Sequence, residues 1–326
     1  MNEIYSRPLV VGVDAGGTRS RACLAVAGPG GPVLGRGTGG PGNALSVARP
    51  DLTRHLTEAI AGAVPVAARG RVVAAYGGFA GAADGVGPER GRELALSCLV
   101  DALAANGITG VPADVGGDTE VALAAGPGAP ADGLVLIAGT GAIAARISGR
   151  RRSAVTDGHG WLLGDEGSGF WLGSHAVRAA LEALDARGPW TSLVGRVTAH
   201  YFPSAAGGLP RQDWSPLARH GLAEAIVVAA YGQPPPQLAL LSPAAVAAAE
   251  EGDAVARALL DRAAELLSAT VRSLGPRVGE PLVMTGGLLG PEGPLRGRVT
   301  ALLGDLGLSV HPVPDGAAGA AALALA

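Results

Sequence analysis

Asp14-Ala15-Gly16-Gly17-Thr18 sets a carboxylate at the end of an apolar run, then two glycines and a hydroxyl. A carboxylate so placed can organise a hydrated magnesium ion, which keeps most of its waters and needs few protein ligands. Gly16 and Gly17 let backbone N–H groups approach phosphate oxygens, and Thr18 adds a donor. Alone, the stretch fits an ordinary Gly-Gly hairpin as well as it fits a phosphate site. Gly139-Thr140-Gly141 repeats the device between two further apolar runs. Two such turns can clamp one triphosphate from opposite sides.

Three more stretches carry candidate chemistry. Gly158-His159-Gly160-Trp161-Leu162-Leu163-Gly164-Asp165-Glu166-Gly167-Ser168-Gly169 places two adjacent acids in a glycine-rich run before an amphipathic segment. An acidic helix cap accounts for one carboxylate but not for glycines on both sides, so this run reads as functional. Asp118 stands where a strand gives way to a helix, and two uses fit that place. It can cap the helix, or it can accept the proton of a sugar hydroxyl attacking a γ-phosphoryl group. Thr285-Gly286-Gly287 fits both a close backbone approach to adenosine and a plain strand–helix turn.

The elements that must position these residues follow from the hydrophobic pattern. Strands are expected at Leu9 to Asp14, Arg21 to Val26 and Pro32 to Gly37, a meander, then a helix over Pro50 to Ala63. Strand Val72 to Tyr76, helix Pro88 to Ala105, strand Val111 to Val115 and helix Thr119 to Ala125 complete the first half. The opening pattern then recurs as strands Leu134 to Ala138, Ile143 to Ser148 and Ser153 to Thr156. Helices follow from Glu166 to Ala186 and from Pro243 to Leu274, the second broken near Gly252-Asp253. On the latter, Glu250, Arg257, Asp261, Glu265, Ser268 and Arg272 read as a solvated stripe. Strands near Leu282 to Met284 and Leu308 to His311, a helix near Leu295 to Leu303, and a closing helix Ala317 to Ala326 finish the chain. Two halves that each open on a meander around a Gly/Thr turn predict an α/β, duplicated ribonuclease H-like fold. That is the actin/hexokinase/Hsp70 ATPase arrangement, two domains with a cleft between them. The expected domains are 1–118 and 119–315, the second with helical insertions, with 316–326 packing back on the first.

Composition narrows the function. The 326 residues are 48% hydrophobic and 16% charged, enough for two folded cores. Aromatics are 3%, so the interior must be built from Ala, Val and Leu, with Gly allowing close backbone approach. The formal charge of −3 leaves no basic footprint for nucleic acid, and Arg150-Arg151-Arg152 reads as a solvated turn. Met1 to Ser6 is polar, with no signal-peptide pattern, and no apolar run is long enough to span a bilayer, so a cytoplasmic protein is expected. Cys23 and Cys98 read as small buried hydrophobes. There is no lysine anywhere. That removes P-loop NTPases, protein kinases and Schiff-base or pyridoxal chemistry, each of which needs one. No His spacing suits a metal hydrolase, and no G-x-S-x-G elbow occurs.

Taken together, the chain resembles the N-acetylglucosamine kinase family, within the group that includes ATPase activators of 2-hydroxyacyl-CoA dehydratases. Leu163-Gly164-Asp165-Glu166-Gly167-Ser168-Gly169-Phe170-Trp171 is similar to its LGDEGSxYW signature. Val13 to Thr18, Ala138 to Gly141 and Val283 to Gly287 resemble its two phosphate motifs and its adenosine motif. The resemblance implies ATP and Mg²⁺ as co-substrate and metal, and transfer to the sugar 6-hydroxyl. Asp118 is then the base, and Asn43, Asp118, Gly160 and Asp165 hold the sugar. Gly16, Gly17, Thr18, Thr140, Gly141, Gly286 and Gly287 hold the nucleotide, and Asp14 organises magnesium through water. It also implies domain closure and a possible homodimer, with no nucleic-acid or membrane partner. Two positions depart from the family pattern: Ala142 replaces a serine, and Gly158-His159-Gly160 replaces Gly-Trp-Gly, with Trp161 displaced. Glucosamine and N-acetylmuramic acid therefore stand as alternative acceptors. An ATPase activator needs cluster-holding cysteines in exposed loops, and a non-catalytic sugar sensor needs no base. Those two readings are the competitors.

Overall fold

The computed structural model describes residues 7–28, 30–82, 84–204 and 211–325. The amino-terminal Met1 to Ser6, part of the unassigned 203–236 stretch, and Ala326 of the closing helix lie outside them.

The first sheet contains β1 (Leu9–Ala15), β2 (Ser20–Val26), β3 (Val33–Gly39), β4 (Val72–Phe79) and β5 (Ala113–Gly117), in the order β3-β2-β1-β4-β5. β1, β2 and β3 form an antiparallel meander, and β4 and β5 run parallel to β1. The second sheet contains β6 (Gly133–Ala138), β7 (Ala142–Ser148), β8 (Arg151–Asp157), β9 (Pro281–Thr285) and β10 (Ser309–Pro312), in the order β10-β9-β6-β7-β8. Here β6, β7 and β8 are the meander and β9 and β10 the parallel additions. The two sheets are the same topology read from opposite edges, so the duplication expected from the paired Gly/Thr turns is present.

Both faces of the central strands β1 and β6 are covered, which suits their near-continuous apolar runs, while the edge strand β8 is largely exposed. Helices α1 (Arg49–Ala63) and α2 (Gly91–Ala105) cover one face of the first sheet, meeting Leu9, Val11 and Val13. The Val10 side meets α10 (Ala317–Leu323) through Ala317 and Ala321. Helix α3 (Asp118–Ala124) packs against α10 and also against the second sheet, where Ala122 and Leu123 join Val135, Ala145 and Ile147. α3 and α10 thus lie between the two sheets. The outer face of the second sheet carries α4 (Gly169–Leu184), α5 (Leu193–Tyr201), α6 (Pro216–Tyr231), α7 (Ser242–Glu250) and α8 (Ala254–Arg272), with α9 (Arg296–Leu302) beside α8.

Glycine sets how closely these layers approach. A Cβ on Gly35, Gly37 or Gly39, which alternate along β3, would lie 2.2, 2.1 or 2.0 Å from a carbonyl oxygen of α1. A chain with so few aromatics fills its interior by bringing backbones together.

Several sequence expectations shift in detail. α5, α6 and the 3-10 turns Val66–Arg71 and Pro235–Leu241 were not expected. The helix expected from Glu166 starts at Gly169, because Asp165 and Gly167 take left-handed φ of 58° and 79° and Ser168 caps the helix through Trp171 N. The pair Asp165-Glu166 is therefore a loop. Ser268 is no part of a solvated stripe: it is buried and bonds back to the Ala264 carbonyl. Of the arginine triplet, Arg150 is in the turn, but Arg151 and Arg152 open β8. Cys23 and Cys98 are buried in β2 and α2, as expected.

Candidate active site

The first Gly/Thr turn joins β1 to β2, and Gly16 N donates to the Arg19 carbonyl. Neither Gly16 nor Gly17 has positive φ, so the turn does not require glycine. The region where a Gly17 Cβ would project is open, and the same holds for Gly139 in the second turn and for Gly287. Residues that neither conformation nor packing demands to be glycine leave room for a ligand against the backbone. Gly286 differs: its φ is 93° and a Cβ would lie 2.2 Å from the Ala138 carbonyl oxygen. That contact and the Leu288 N–Ala138 O bond seat the third glycine motif at the base of the second turn. The tips of the two turns meet, with the Thr18 and Thr140 hydroxyls 2.5 Å apart.

Asp14 ends β1, and its carboxylate accepts the Gly316 N–H at 2.8 Å, immediately before α10. Burial, with the charges of Asp118 and Asp315 nearby, pushes it up to about 7, although that N–H and Arg21 pull the other way. Asp315 was not singled out in the sequence. It is buried, accepts Ala317 N, and faces Arg36 at 3.4 Å. Asp118 is the first residue of α3. Burial first and Glu120 second raise its pKa, while its local backbone N–H groups and Arg152 lower it. Asp14, Asp118 and Asp315 thus concentrate negative charge where strand ends of the first sheet meet α3 and α10. Among the described residues no group of three His, Cys, Asp or Glu forms a closed metal cage. A partly buried carboxylate in surplus negative charge, without a cage, suits a hydrated magnesium ion shared with phosphates.

Asn43 lies in the loop after β3, which is bonded to the first turn through Gly42 N–Gly16 O and Ser20 N–Gly40 O. Its side-chain oxygen accepts Leu45 N at 2.9 Å, and among the described residues the amide N–H₂ has no acceptor, so it can donate to a ligand. Asp165 belongs to the other half. Its carboxylate accepts Ala142 N at 3.2 Å and lies against Gly141, with the Gly160 N–H near enough to help lower its pKa. Burial is the main cause of its raised pKa. The Ala142 methyl is buried in the second core, so its backbone N–H, and not its side chain, faces Asp165.

Asp157, also missed in the sequence, holds the loop. Its φ is 64°, and its carboxylate accepts Asp165 N at 2.7 Å and Glu166 N at 2.8 Å. A Cβ on Gly164 would lie 2.2 Å from an Asp157 oxygen, which accounts for that glycine. The N-terminus of α4 donates Gly169 N and Phe170 N to the carbonyls of Gly139 and Thr140. Trp161 packs on Phe170 with centroids 5.7 Å apart, at the rim of a groove of about 690 Å³ that Glu166 also lines.

The site is thus split. Asp14, Gly16, Gly17, Thr18, Asn43 and Asp118 belong to the first half, while Thr140, Gly141, Gly160, Asp165, Gly286 and Gly287 belong to the second. Thr18–Thr140 joins them, and among the described residues no hydrogen bond or ion pair links Asn43 or Asp118 to Asp165.

Residues 11–324 match the BadF/BadG/BcrA/BcrD ATPase family. Among curated proteins, the chain is 29% identical to the N-acetyl-D-glucosamine kinase of Dictyostelium discoideum over 215 residues, 64% of this chain and 62% of that one. It is 42% identical to the N-acetylmuramic acid/N-acetylglucosamine kinase of Clostridium acetobutylicum over 80 residues, 24% of this chain and 26% of that one. In both cases the chain spans less than two thirds of its relative. The fold is shared with a proposed N-acetylglucosamine kinase from Chromobacterium violaceum at a TM-score of 0.64 and 24% identity, over 97% of this chain and 98% of that one. It is also shared with a glucokinase from Streptomyces griseus, solved with glucose and AMPPNP, at a TM-score of 0.57 and 18% identity, over 97% and 99%.

Proposed function

The chain belongs to the BadF/BadG/BcrA/BcrD ATPase family, and from that premise we propose that it is an ATP-dependent amino-sugar kinase that phosphorylates the 6-hydroxyl of N-acetylglucosamine. The observation that carries the reading is the meeting of two glycine turns beside two half-buried carboxylates, Asp14 and Asp118. The space beside Gly17 and Gly139 is open, the Thr18 and Thr140 hydroxyls converge, and Asp118 lies close enough for its charge to raise the Asp14 pKa. With no lysine in the chain, phosphates rest on backbone N–H groups of the two turns and on these hydroxyls.

Asp118 is the general base, taking the proton of the sugar hydroxyl as its oxygen attacks phosphorus. Asn43 donates to a second hydroxyl from the first half, and Gly160 and Asp165 hold the sugar from the second. Gly286 and Gly287 border the adenosine. Asp14 holds magnesium through water, and the ion when bound neutralises phosphate charge. Ligands gripped from both halves draw the domains together around the chain crossings at 118–119 and 315–316, excluding water from the transfer. Among the described residues no helix is long and apolar enough to cross a membrane.

The test is ADP release with ATP and magnesium across N-acetylglucosamine, glucosamine, N-acetylmuramic acid and glucose. Turnover that requires an amino sugar, with the matching sugar phosphate by mass, supports the kinase. Turnover without any sugar supports an ATPase instead. Asp118→Asn should keep sugar binding and lose about 10²- to 10⁴-fold in kcat. Unchanged kcat removes Asp118 from the mechanism.

A further inference from the structure

α1 packs on the first sheet through Leu52, Leu56, Ala59, Ile60 and Ala63, an apolar stripe at helical spacing. His55 stands in that stripe, and of the six histidines, all described, it alone is buried. An imidazole among aliphatic side chains costs free energy unless its nitrogens find partners. Both do here. Nδ1 lies 2.7 Å from the Pro41 carbonyl oxygen, which can only accept, so Nδ1 carries the proton. Nε2 is then an acceptor, and the Arg54 guanidinium donates to it at 3.0 Å. Arg54 is itself held along the helix by Asp51 at 2.9 Å and Glu58 at 3.1 Å. The tautomer is thus assigned by its partners.

What the ring holds is a single peptide plane. The carbonyl of Pro41 and the N–H of Gly42 belong to one peptide unit, which is planar. Its carbonyl end accepts His55 Nδ1–H, and its N–H end donates to the Gly16 carbonyl at 2.9 Å. The plane therefore bridges α1 and the first Gly/Thr turn, and rotating it breaks both bonds. Packing removes the remaining freedom. A Cβ on Gly40 would lie 2.4 Å from His55 Nε2, and one on Gly42 would lie 2.5 Å from Ser20 Oγ. Asn43 is the next residue along. Its side-chain oxygen is taken by Leu45 N, so its amide N–H₂ points where this plane delivers the chain. A leucine would complete the α1 stripe without a polar group to satisfy, so the fold alone has no need of histidine. We propose that His55 is a positioning residue of the acceptor site, holding the Pro41–Gly42 peptide so that the Asn43 amide meets a sugar hydroxyl. This rests on the amino-sugar kinase reading and deepens it.

The experiment measures kinetics and calorimetric binding with N-acetylglucosamine on the wild type, His55→Leu, His55→Gln and His55→Asn, beside urea unfolding. The asparagine amide nitrogen is as many bonds from the backbone as Nδ1 and can donate to Pro41, whereas the glutamine nitrogen lies further out. His55→Leu and His55→Gln should raise the sugar KM and Kd about three- to tenfold, the size of one net hydrogen bond. kcat and the KM for ATP should change less than about twofold, because Asp118 and the Gly16 N–Arg19 O bond are untouched. His55→Asn should keep the sugar KM near wild type although an amide suits an apolar stripe less well than leucine does. A histidine that only fills the core would not give that inversion. Sugar KM that follows stability, or that rises equally with the KM for ATP, overturns the proposal. If the buried variants do not fold, Arg54→Met decides from the surface, since it frees Nε2 to carry the proton instead. It should raise the sugar KM about twofold or more, and an unchanged value overturns the proposal. A wild type that phosphorylates the sugar, with His55→Leu unaltered, sinks the positioning role alone. Sugar binding that weakens in the expected order without any phosphorylation keeps that role and sinks the kinase. A wild type that neither binds nor phosphorylates an amino sugar overturns both.

Discussion

Gly17 and Gly139 separate what the fold needs from what the ligand needs. Their φ values are ordinary and a Cβ would meet nothing, so the folded chain has no use for glycine there. Gly17→Ala and Gly139→Ala should leave stability within roughly 0.5 kcal/mol of wild type or slightly higher. The KM for ATP should nonetheless rise about tenfold or more, because a methyl displaces phosphate from the backbone. Denaturant unfolding alongside ATP titration reads both, and an unchanged KM would remove these turns from the site. Asp14 shows the converse, a group the fold would be steadier without. Its pKa is about 7 against 3.8 for the ordinary carboxyl, so the folded state holds the proton more tightly than the unfolded one. This group's stabilisation of the ligand-free protein is therefore full below about pH 4, falls as pH rises towards 7, and is gone above about 7. Asp14→Asn should be more stable than wild type by roughly 1–3 kcal/mol at pH 8, discounted for partial exposure. That gain should vanish near pH 4 while activity is lost throughout. Urea titrations at the two pH values check it, and a pH-independent difference would rule out the buried charge as its cause.

At the scale of elements, the loop from Gly158 to Ser168 is a folded-back platform that Asp157 pins at its middle. Asp157 alone accepts the N–H groups of Asp165 and Glu166. Asp157→Ala should cost about 1–3 kcal/mol and raise the sugar KM more than the ATP KM, because Asp165 and Gly160 shift together. Kinetics with each substrate varied in turn would show it, and equal rises would make the loop a general scaffold. This platform also marks where sequence reading stopped. The run of glycines and acids was visible as a site, but Asp157 was not, because its effect depends on a left-handed φ at a strand end and on a loop that folds back. Asp315 was hidden likewise, since only α10 docking on β1 brings it near Asp14. The meanders and the parallel additions were legible because apolar runs and Gly/Thr turns repeat in both halves. α5 and α6 were not, since their stretches of the outer layer carry no motif and α6 has only Ala223 and Ile226 buried. The break before α8 was legible because Asp253 is a good cap, accepting Ala256 N at 2.9 Å.

For the whole molecule, the two sheets communicate through α3 and α10, so their packing must be firm even if the cleft opens. Gly319 is where they are closest: a Cβ there would lie 1.9 Å from the Val121 carbonyl oxygen and 2.4 Å from Ala125 N. Both are backbone atoms that no rotamer change can move. Alanine favours a helix over glycine by about 1 kcal/mol, so Gly319→Ala would stabilise a free helix of this sequence. In the folded protein it should instead destabilise by roughly 2–4 kcal/mol, as α10 lifts from α3. The lift should reach the site, because Gly316 at the start of α10 donates to Asp14. A rise in the KM for ATP and magnesium should therefore accompany the loss of stability. Gly297→Ala in α9, where a Cβ would meet nothing within 4 Å, supplies the control and should be neutral or stabilising. Thermal unfolding and ATP titration of the two variants decide the matter. If Gly319→Ala behaves like Gly297→Ala, α3 and α10 are loose neighbours and the cleft must be held together elsewhere.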